Sequence, residues 1–301
     1  MSHVHEGWCT AVGGALEAHT AAVEQLAPGH WSFVSTTPHA RRGSARIADE
    51  WCIVDVPLPA RLARTIDGCW QALAVNARLA GGLKLCTAAD RSFHLRADVP
   101  LLEDTPVALR IQHLCAGIGA AIASLSAPQP ADPSPTPAGL GALEAWDFDL
   151  RQRCRETLWP CTDREPHTVM VQLEVPGAFQ QALVELQPER GVVVSVPLLA
   201  APQPAPPHET AVTRLLLATA GAVRMVRATT RRAPAWVGFE VVFAHVPTPE
   251  ELAHAFAALS LAWRGAGREA EILARDVRIA QLYAGDGVEP RDAETVNQAT
   301  T

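Results

Sequence analysis

Lysine is almost missing from this sequence. Lys84 is the only one, against 24 arginines. Basic charge is scattered, with only two short clusters, Arg41–Arg42 and Arg231–Arg232, which read as solvated hairpin tips. A nucleic-acid binder carries a concentrated basic face, so no nucleic-acid partner is expected. The excess of arginine, alanine and proline reads as a GC-rich coding sequence rather than as a function. No apolar run approaches the roughly 20 residues of a membrane span, so no membrane partner is expected. The opening MSHVHEGWC has neither a basic region nor an apolar stretch. It is therefore not a secretory signal, and the chain is expected in the cytoplasm. The seven cysteines, Cys9, Cys52, Cys69, Cys86, Cys115, Cys154 and Cys161, include no C-x-x-C pair. An odd, scattered set reads as small buried hydrophobes in a reducing compartment.

What is present points to two folded bodies. The length, 301 residues, fits two domains, and 48% hydrophobic residues allow a sizeable core. The formal net charge is −7, with 10 basic against 11 acidic residues up to Ser126 and 15 against 21 from Ala127 on. The acidity therefore sits in the second part.

The periodicity predicts a helix over 14–28, stopped by Pro28–Gly29, then strands over 30–35 and 50–58 around a loop at 37–43. Ala60–Ala80 is predicted to form one helix with apolar residues three and four apart, capped at Gly81–Gly82. Residues 83–88 and 92–99 read as a hairpin. Thr105–Pro106 then opens a helix running to about Leu125. The proline stretch SAPQPADPSPTPAGLG at 126–141 follows.

Beyond it come a helix over 141–159, an alternating strand TVMVQLEV at 168–175 and a hairpin over 180–187 and 192–199. A second proline run at 201–207 leads to a helix over 208–222 and another hairpin over 225–230 and 235–246. Thr248-Pro249-Glu250-Glu251 is a capping box that starts the last long helix. That helix extends or restarts over 268–283, and a polar tail begins near Gly285. In the 235–246 strand both parities are apolar, which demands a bulge or a sheet covered on both faces.

Both parts thus share one order, helix, three strands, helix, two strands, helix. GALEA occurs at 14–18 and 141–145, and IVDVPL (53–58) matches VVSVPL (193–198). ADVP (97–100) matches AHVP (244–247), and Thr105–Pro106 matches Thr248–Pro249. Four matches in the same order predict a duplication. The chain divides as a first domain (10–125), a proline-rich linker (126–140), a second domain (141–284) and a tail (285–301). The fold class is α+β: two tandem α-β-β-β-α-β-β-α domains, each a twisted antiparallel sheet packed with helices, paired as an intrachain pseudo-dimer.

This element order, with the acidity and the size, resembles the type III secretion chaperone fold shared with the YbjN-like family. The resemblance implies a cytoplasmic, non-enzymatic, protein-binding factor. It also implies dimer-like pairing through the middle helix and neighbouring strands. The long proline linker, the second proline run and the extra C-terminal helix have no counterpart in that family.

Such a domain binds an extended peptide at sheet edges and apolar grooves, so a protein or peptide partner is expected. Trp51 and Ile53 lie opposite the Cys52/Val54/Val56 face and need a cover, and Val193 sits where Ile53 does in the second copy. These three are the candidate interface residues, either between the copies or toward a partner. The rival from another class is a small-molecule binder or enzyme with its site between the copies.

No catalytic residue is assigned, and neither a cofactor nor a metal is expected. Gly265-Ala-Gly-Arg-Glu-Ala270 matches G-x-G-x-x-A but follows a helix rather than a strand, so it marks a helix break. Gly117 and Gly119 suit close helix packing. His3, His5 and Cys9 lack a fourth metal ligand. Asp147 and Asp149 are two apart on a helix and do not share a face. His94, His113, His167, His245 and His254 have no tie to a nucleophile that the sequence alone reveals.

Overall fold

The computed structural model describes residues 3–36, 40–68, 70–79, 81–102, 106–126, 148–165, 167–175, 178–188, 190–200, 206–232 and 235–285. The first half runs α1 (His3–His19), β1 (Ala22–Ala27), β2 (His30–Val34), β3 (Arg42–Ala48), β4 (Trp51–Pro57), α2 (Ala60–Ile66), α3 (Trp70–Asn76), β5 (Leu83–Thr87), β6 (Phe93–Pro100) and α4 (Val107–Ser126). The second runs α5 (Leu150–Glu156), β7 (Cys161–Glu165), β8 (Thr168–Val175), β9 (Ala178–Gln187), β10 (Gly191–Ala200), α6 (His208–Ala222), β11 (Arg227–Arg232), β12 (Ala235–Phe243), α7 (Pro249–Arg275) and α8 (Val277–Gly285). The chain is α+β, with one six-stranded antiparallel sheet per half.

The two sheets have the same strand order. The first is β1-β2-β3-β4-β6-β5, and the second, read from its own first strand, is β7-β8-β9-β10-β12-β11. In both, the last hairpin folds back so that its second strand pairs with the fourth. Each half has one strand more than the spacing predicts. In the first half the extra strand is β1: the helix ends at His19, and Pro28–Gly29 turns a hairpin rather than stopping a helix. Gly29 has φ +72°, the left-handed conformation such a turn needs.

The core-facing residues follow the expected alternation. Cys52, Val54 and Val56 of β4, and Val169, Val171 and Leu173 of β8, are buried in one cluster that extends through both halves. β12 is buried from Trp236 to Phe243, because both faces of its sheet are covered. Phe239, Val241 and Phe243 belong to the core, while Val242 faces the other half's side. A bulge also interrupts the β10–β12 register between Pro197 and Leu199.

Several helices differ from the prediction. The expected helix over Ala60–Ala80 is two short ones, α2 and α3. Gly68 at the break has φ +66°, and a Cβ there would press on the Thr210 side chain of α6. Glycine therefore fits the break both in backbone conformation and in space. The G-x-G-x-x-A segment does not mark a break: α7 runs unbroken from Pro249 to Arg275. Gly267 packs against Trp263, where a Cβ would come within 3.1 Å of the indole. The helix restarts as α8, with Asp276 accepting from the Arg278 and Ile279 N–H groups. Asp149 likewise caps α5, accepting from Arg151 N and Gln152 N. It is a cap rather than a free helical acid. The linker, Asp147, the second GALEA and the tail beyond Gly285 lie outside the described residues.

Among the described residues no helix is long and apolar enough to cross a membrane. Six cysteines are described, and Cys52, Cys86, Cys115 and Cys154 are buried free thiols. Burial pushes the Cys52 and Cys154 thiols up to about 12 and those of Cys86 and Cys115 up to about 11. They are packing groups, not nucleophiles.

Candidate functional site

The halves meet through exchanged contacts. α6 of the second half packs on β5 of the first, and α3 of the first packs on β11 of the second. Lys84 on β5 and Arg227 on β11 occupy matching places, each beside the strand that bridges to the sheet centre. Lys84 Nζ donates to the Val223 carbonyl, the C-cap of α6, at 2.8 Å. Arg227 Nη1 donates to the Leu79 carbonyl, just past α3, at 2.7 Å. Each half thus sends one cation into the other: Lys84 meets the carbonyl end of α6, where the helix dipole favours positive charge, and Arg227 meets the loop between α3 and β5. Glu209 at the start of α6 makes the converse contact at the other pole, accepting from Trp70 N at the start of α3 at 2.8 Å.

Both cations are paired. Lys84 lies 2.6 Å from Asp98, with both side chains almost fully buried. Arg227 donates to Glu240 at 2.8 Å, and Arg190 donates to the same carboxylate. Burial alone would raise the Glu240 pKa, but Arg190 and Arg227 outweigh it and hold the carboxyl below its usual range. Burial lowers Arg227 to about 10, so it stays charged at neutral pH.

Trp51 stands at this seam. The Arg224 guanidinium lies 5.4 Å from its ring centroid and the His254 ring 6.0 Å away, both from the second half. Ile53 and Val193 are buried at matching places, paired across strands with Asp98 and Val242. Asp98 and Val242 in turn line a groove of about 460 Å³ that opens between the halves.

One wall of this groove is the solvent-side face of α4: Arg110, His113, Ala116, Gly117 and Ala120. The opposite wall is the end of β12 with the residues just beyond it, Val241 to His245, and Met225. Gly81–Gly82 and the end of β6, Ala97 to Pro100, close the rest. Small residues on α4 leave the space. Most of the lining is apolar; its polar groups are Asp98, Arg110, Gln112, His113 and His245.

At one end Arg110, His245 and Glu251 converge. Arg110 Nη2 donates to the buried Glu251 Oε1 and lies 2.7 Å from His245 Nε2. Glu251 also closes the α7 capping box, accepting from Thr248 N at 2.9 Å. Burial, with Arg110 and His113 adding to it, depresses His245 to about 3. The ring is therefore neutral at pH 7. Its Nε2 accepts from Arg110, so its proton is on Nδ1 and its 3.2 Å approach to Glu251 is not an ion pair. Burial lowers Arg110 to about 10, which leaves it charged. Its Nε has no acceptor among the described residues.

A second constellation has the order of a catalytic triad. Ser92 Oγ lies 2.7 Å from His94 Nε2, and His94 Nδ1 lies 2.9 Å from Asp55 Oδ2. Arg96 holds the other Asp55 oxygen at 3.2 Å and the Gly221 carbonyl at 2.9 Å. The arrangement does not make a nucleophile. Ser92 Oγ also lies 2.5 Å from Asp90 Oδ1, which takes its single hydrogen. Ser92 N bonds the same carboxylate oxygen at 3.0 Å, so this N–H is not free to steady an oxyanion, and the acid beside it would repel one. The chain of bonds ties the β5–β6 hairpin to β4 and to the end of α6.

The remaining sequence candidates are dispersed. Arg231 is not simply solvated: it pairs with Glu185 at 2.5 Å and stacks over Trp236. Among the described residues no group of three or more His, Cys, Asp or Glu is placed to hold a metal ion. Cys9 lies on α1, and the His3 and His5 side chains are outside the described residues. Sequence reasoning named His113 and His245 but missed Arg110 and Glu251 as their neighbours.

No family model matches the chain, and neither does any curated protein or any solved structure.

Proposed function

We propose that this protein acts by binding, that its receptor site is the groove at the seam, and that the occupant is a small molecule with an apolar body. The observation that carries this is the groove's construction from both halves, at a size within the usual range of roughly 300–1,000 Å³ for ligand sites. The free sheet edges are poor alternatives. β1 and β7 are exposed, each carries a register shift, and Thr162, Asp163 and Arg164 make the β7 edge polar. Bulges and charge blunt an edge against an added strand.

The test is Ala116→Leu, which places a larger side chain on the exposed, groove-facing side of α4. Folding stability is expected to change by no more than about 0.5 kcal/mol, as for an ordinary surface substitution. Native mass spectrometry of protein purified from its own cells should show a small-molecule adduct on the wild type and none on the variant. An adduct on both, or on neither, counts against the groove.

The exchanged middle helices favour a second reading. They are the pairing that the secretion-chaperone resemblance implies, so a secretion-chaperone-like hold on a protein segment is its natural form. One protein that co-purifies in fixed ratio, with no small-molecule adduct, would select it. The shared strand order and the matched Lys84 and Arg227 also support a duplicated ancestral domain. The free, buried thiols suit a reducing cytoplasm.

A further inference from the structure

We infer that the groove selects an uncharged apolar molecule with one acceptor oxygen, such as a long-chain ketone or ester, and that His245 donates to that oxygen. This rests on the groove being the receptor site. The charges along its walls decide the first point, and the buried ones are already matched. Asp98 lies 2.6 Å from Lys84 and accepts from Met225 N at 3.0 Å. Arg110 is held by buried Glu251, whose other oxygen accepts from Thr248 N. His245 is neutral, because burial depresses it to about 3. Gln112 and His113 lie on exposed positions of α4, where they keep their water.

A charged headgroup entering here would leave water and find no unpaired charge buried in the walls. Such burial is costly without a partner. Drawing Asp98 from Lys84, or Arg110 from Glu251, would strand the other buried charge, which is strongly unfavourable. An uncharged ligand meets neither cost. Ala116, Ala120, Val242 and Phe243 suit its hydrocarbon body.

His245 supplies the polar contact. Its Nε2 accepts from Arg110, so its proton is on Nδ1. That N–H has no acceptor among the described residues. Unlike Arg110 Nε, it is not sealed from solvent: the side chain lines the groove and is 23% exposed. With Nε2 taken, the ring offers a donor and no acceptor. The ligand's polar atom is therefore an acceptor, and a carbonyl oxygen fits without adding charge.

Isothermal titration of the full chain with four nine-carbon probes tests this: 2-nonanone, nonanoate, nonylammonium and 1-nonene, the last by displacement of the ketone. The ketone should bind at least about tenfold more tightly than either ion, which must give up hydration without a counter-charge. It should exceed 1-nonene by about threefold to tenfold, the worth of one neutral hydrogen bond. His245→Phe, with Arg110 still held by Glu251, should bring the ketone down to the level of 1-nonene and leave 1-nonene unchanged. The ranking of the ions needs only the wild type.

Either ion binding as tightly as the ketone, with both abolished by Ala116→Leu, would overturn the exclusion of charge while leaving the groove as a site. Equal ketone affinity in the wild type and a folded His245→Phe would overturn His245 as the donor. Binding of none of the probes, or binding that Ala116→Leu leaves intact, would overturn the groove as well.

Discussion

His245 shows how one residue couples the seam to pH. In the folded chain its pKa is depressed to about 3, chiefly by burial and secondarily by Arg110 and His113. In the unfolded chain it returns to about 6.5. Below that value the unfolded state binds a proton that the folded state refuses. Stability is therefore complete above pH 6.5 and falls as the pH drops from there toward 3. Between pH 7 and 5 this one group removes about 2 kcal/mol. Asp55 and Glu240 do not confuse this window. Their pKa values are lowered in the fold, so their contribution is lost only under more acid conditions. Urea unfolding at pH 7 and pH 5 should show the drop in the wild type. His245→Gln, whose amide oxygen can still accept from Arg110, should show less than half of it. An equal drop in both proteins would place the acid sensitivity elsewhere.

At the scale of elements, the seam depends on how closely α6 approaches β5. Gly221 lies so near that a Cβ would collide with the Thr87 carbonyl oxygen, a backbone atom that cannot swing aside. Gly265 on α7 is a useful control, since the nearest atom to its Cβ would be 4.0 Å away. Gly221→Ala should destabilise the protein by about 1–3 kcal/mol through overpacking. Gly265→Ala should stabilise it by roughly 0.5–1 kcal/mol through helix propensity. Chemical denaturation of the two variants checks the opposite signs. The same scale explains what the sequence disclosed. β4, β8 and the start of α7 were legible because their alternation and capping box are local signals. β1 was not, because an exposed edge strand has no buried face to impose alternation, and Ala22, Val23 and Leu26 mimic a helical stripe. β7 carries almost no apolar residue. The division of α2 from α3 falls at Gly68, which takes φ +66° and lies against Thr210, far along the chain. The groove's polar end was illegible for the same reason: Arg110 meets His245 and Glu251 across separations of 135 and 141 residues.

At the scale of the whole molecule, the two halves hold one core and stabilise each other's middle helices. The buried cluster runs through both sheets, Lys84 and Glu209 each complete a helix end belonging to the other half, and Arg227 holds the Leu79 carbonyl in the loop beyond α3. The connection through 127–147 then acts mainly by keeping the halves at high local concentration. A protease site inserted there and cut in the folded protein should leave both pieces eluting together at the intact size. Unfolding should remain a single transition, because neither half has its helix ends satisfied alone. Its midpoint should become dependent on protein concentration, because folding now requires association. A covalent tether that spans its two ends supplies an effective concentration of order millimolar, so at micromolar protein the cut should lower apparent stability by about 4 kcal/mol. Separation of the pieces into stable monomers, or two transitions independent of concentration, would mean that the exchanged contacts decorate two self-sufficient domains rather than join them.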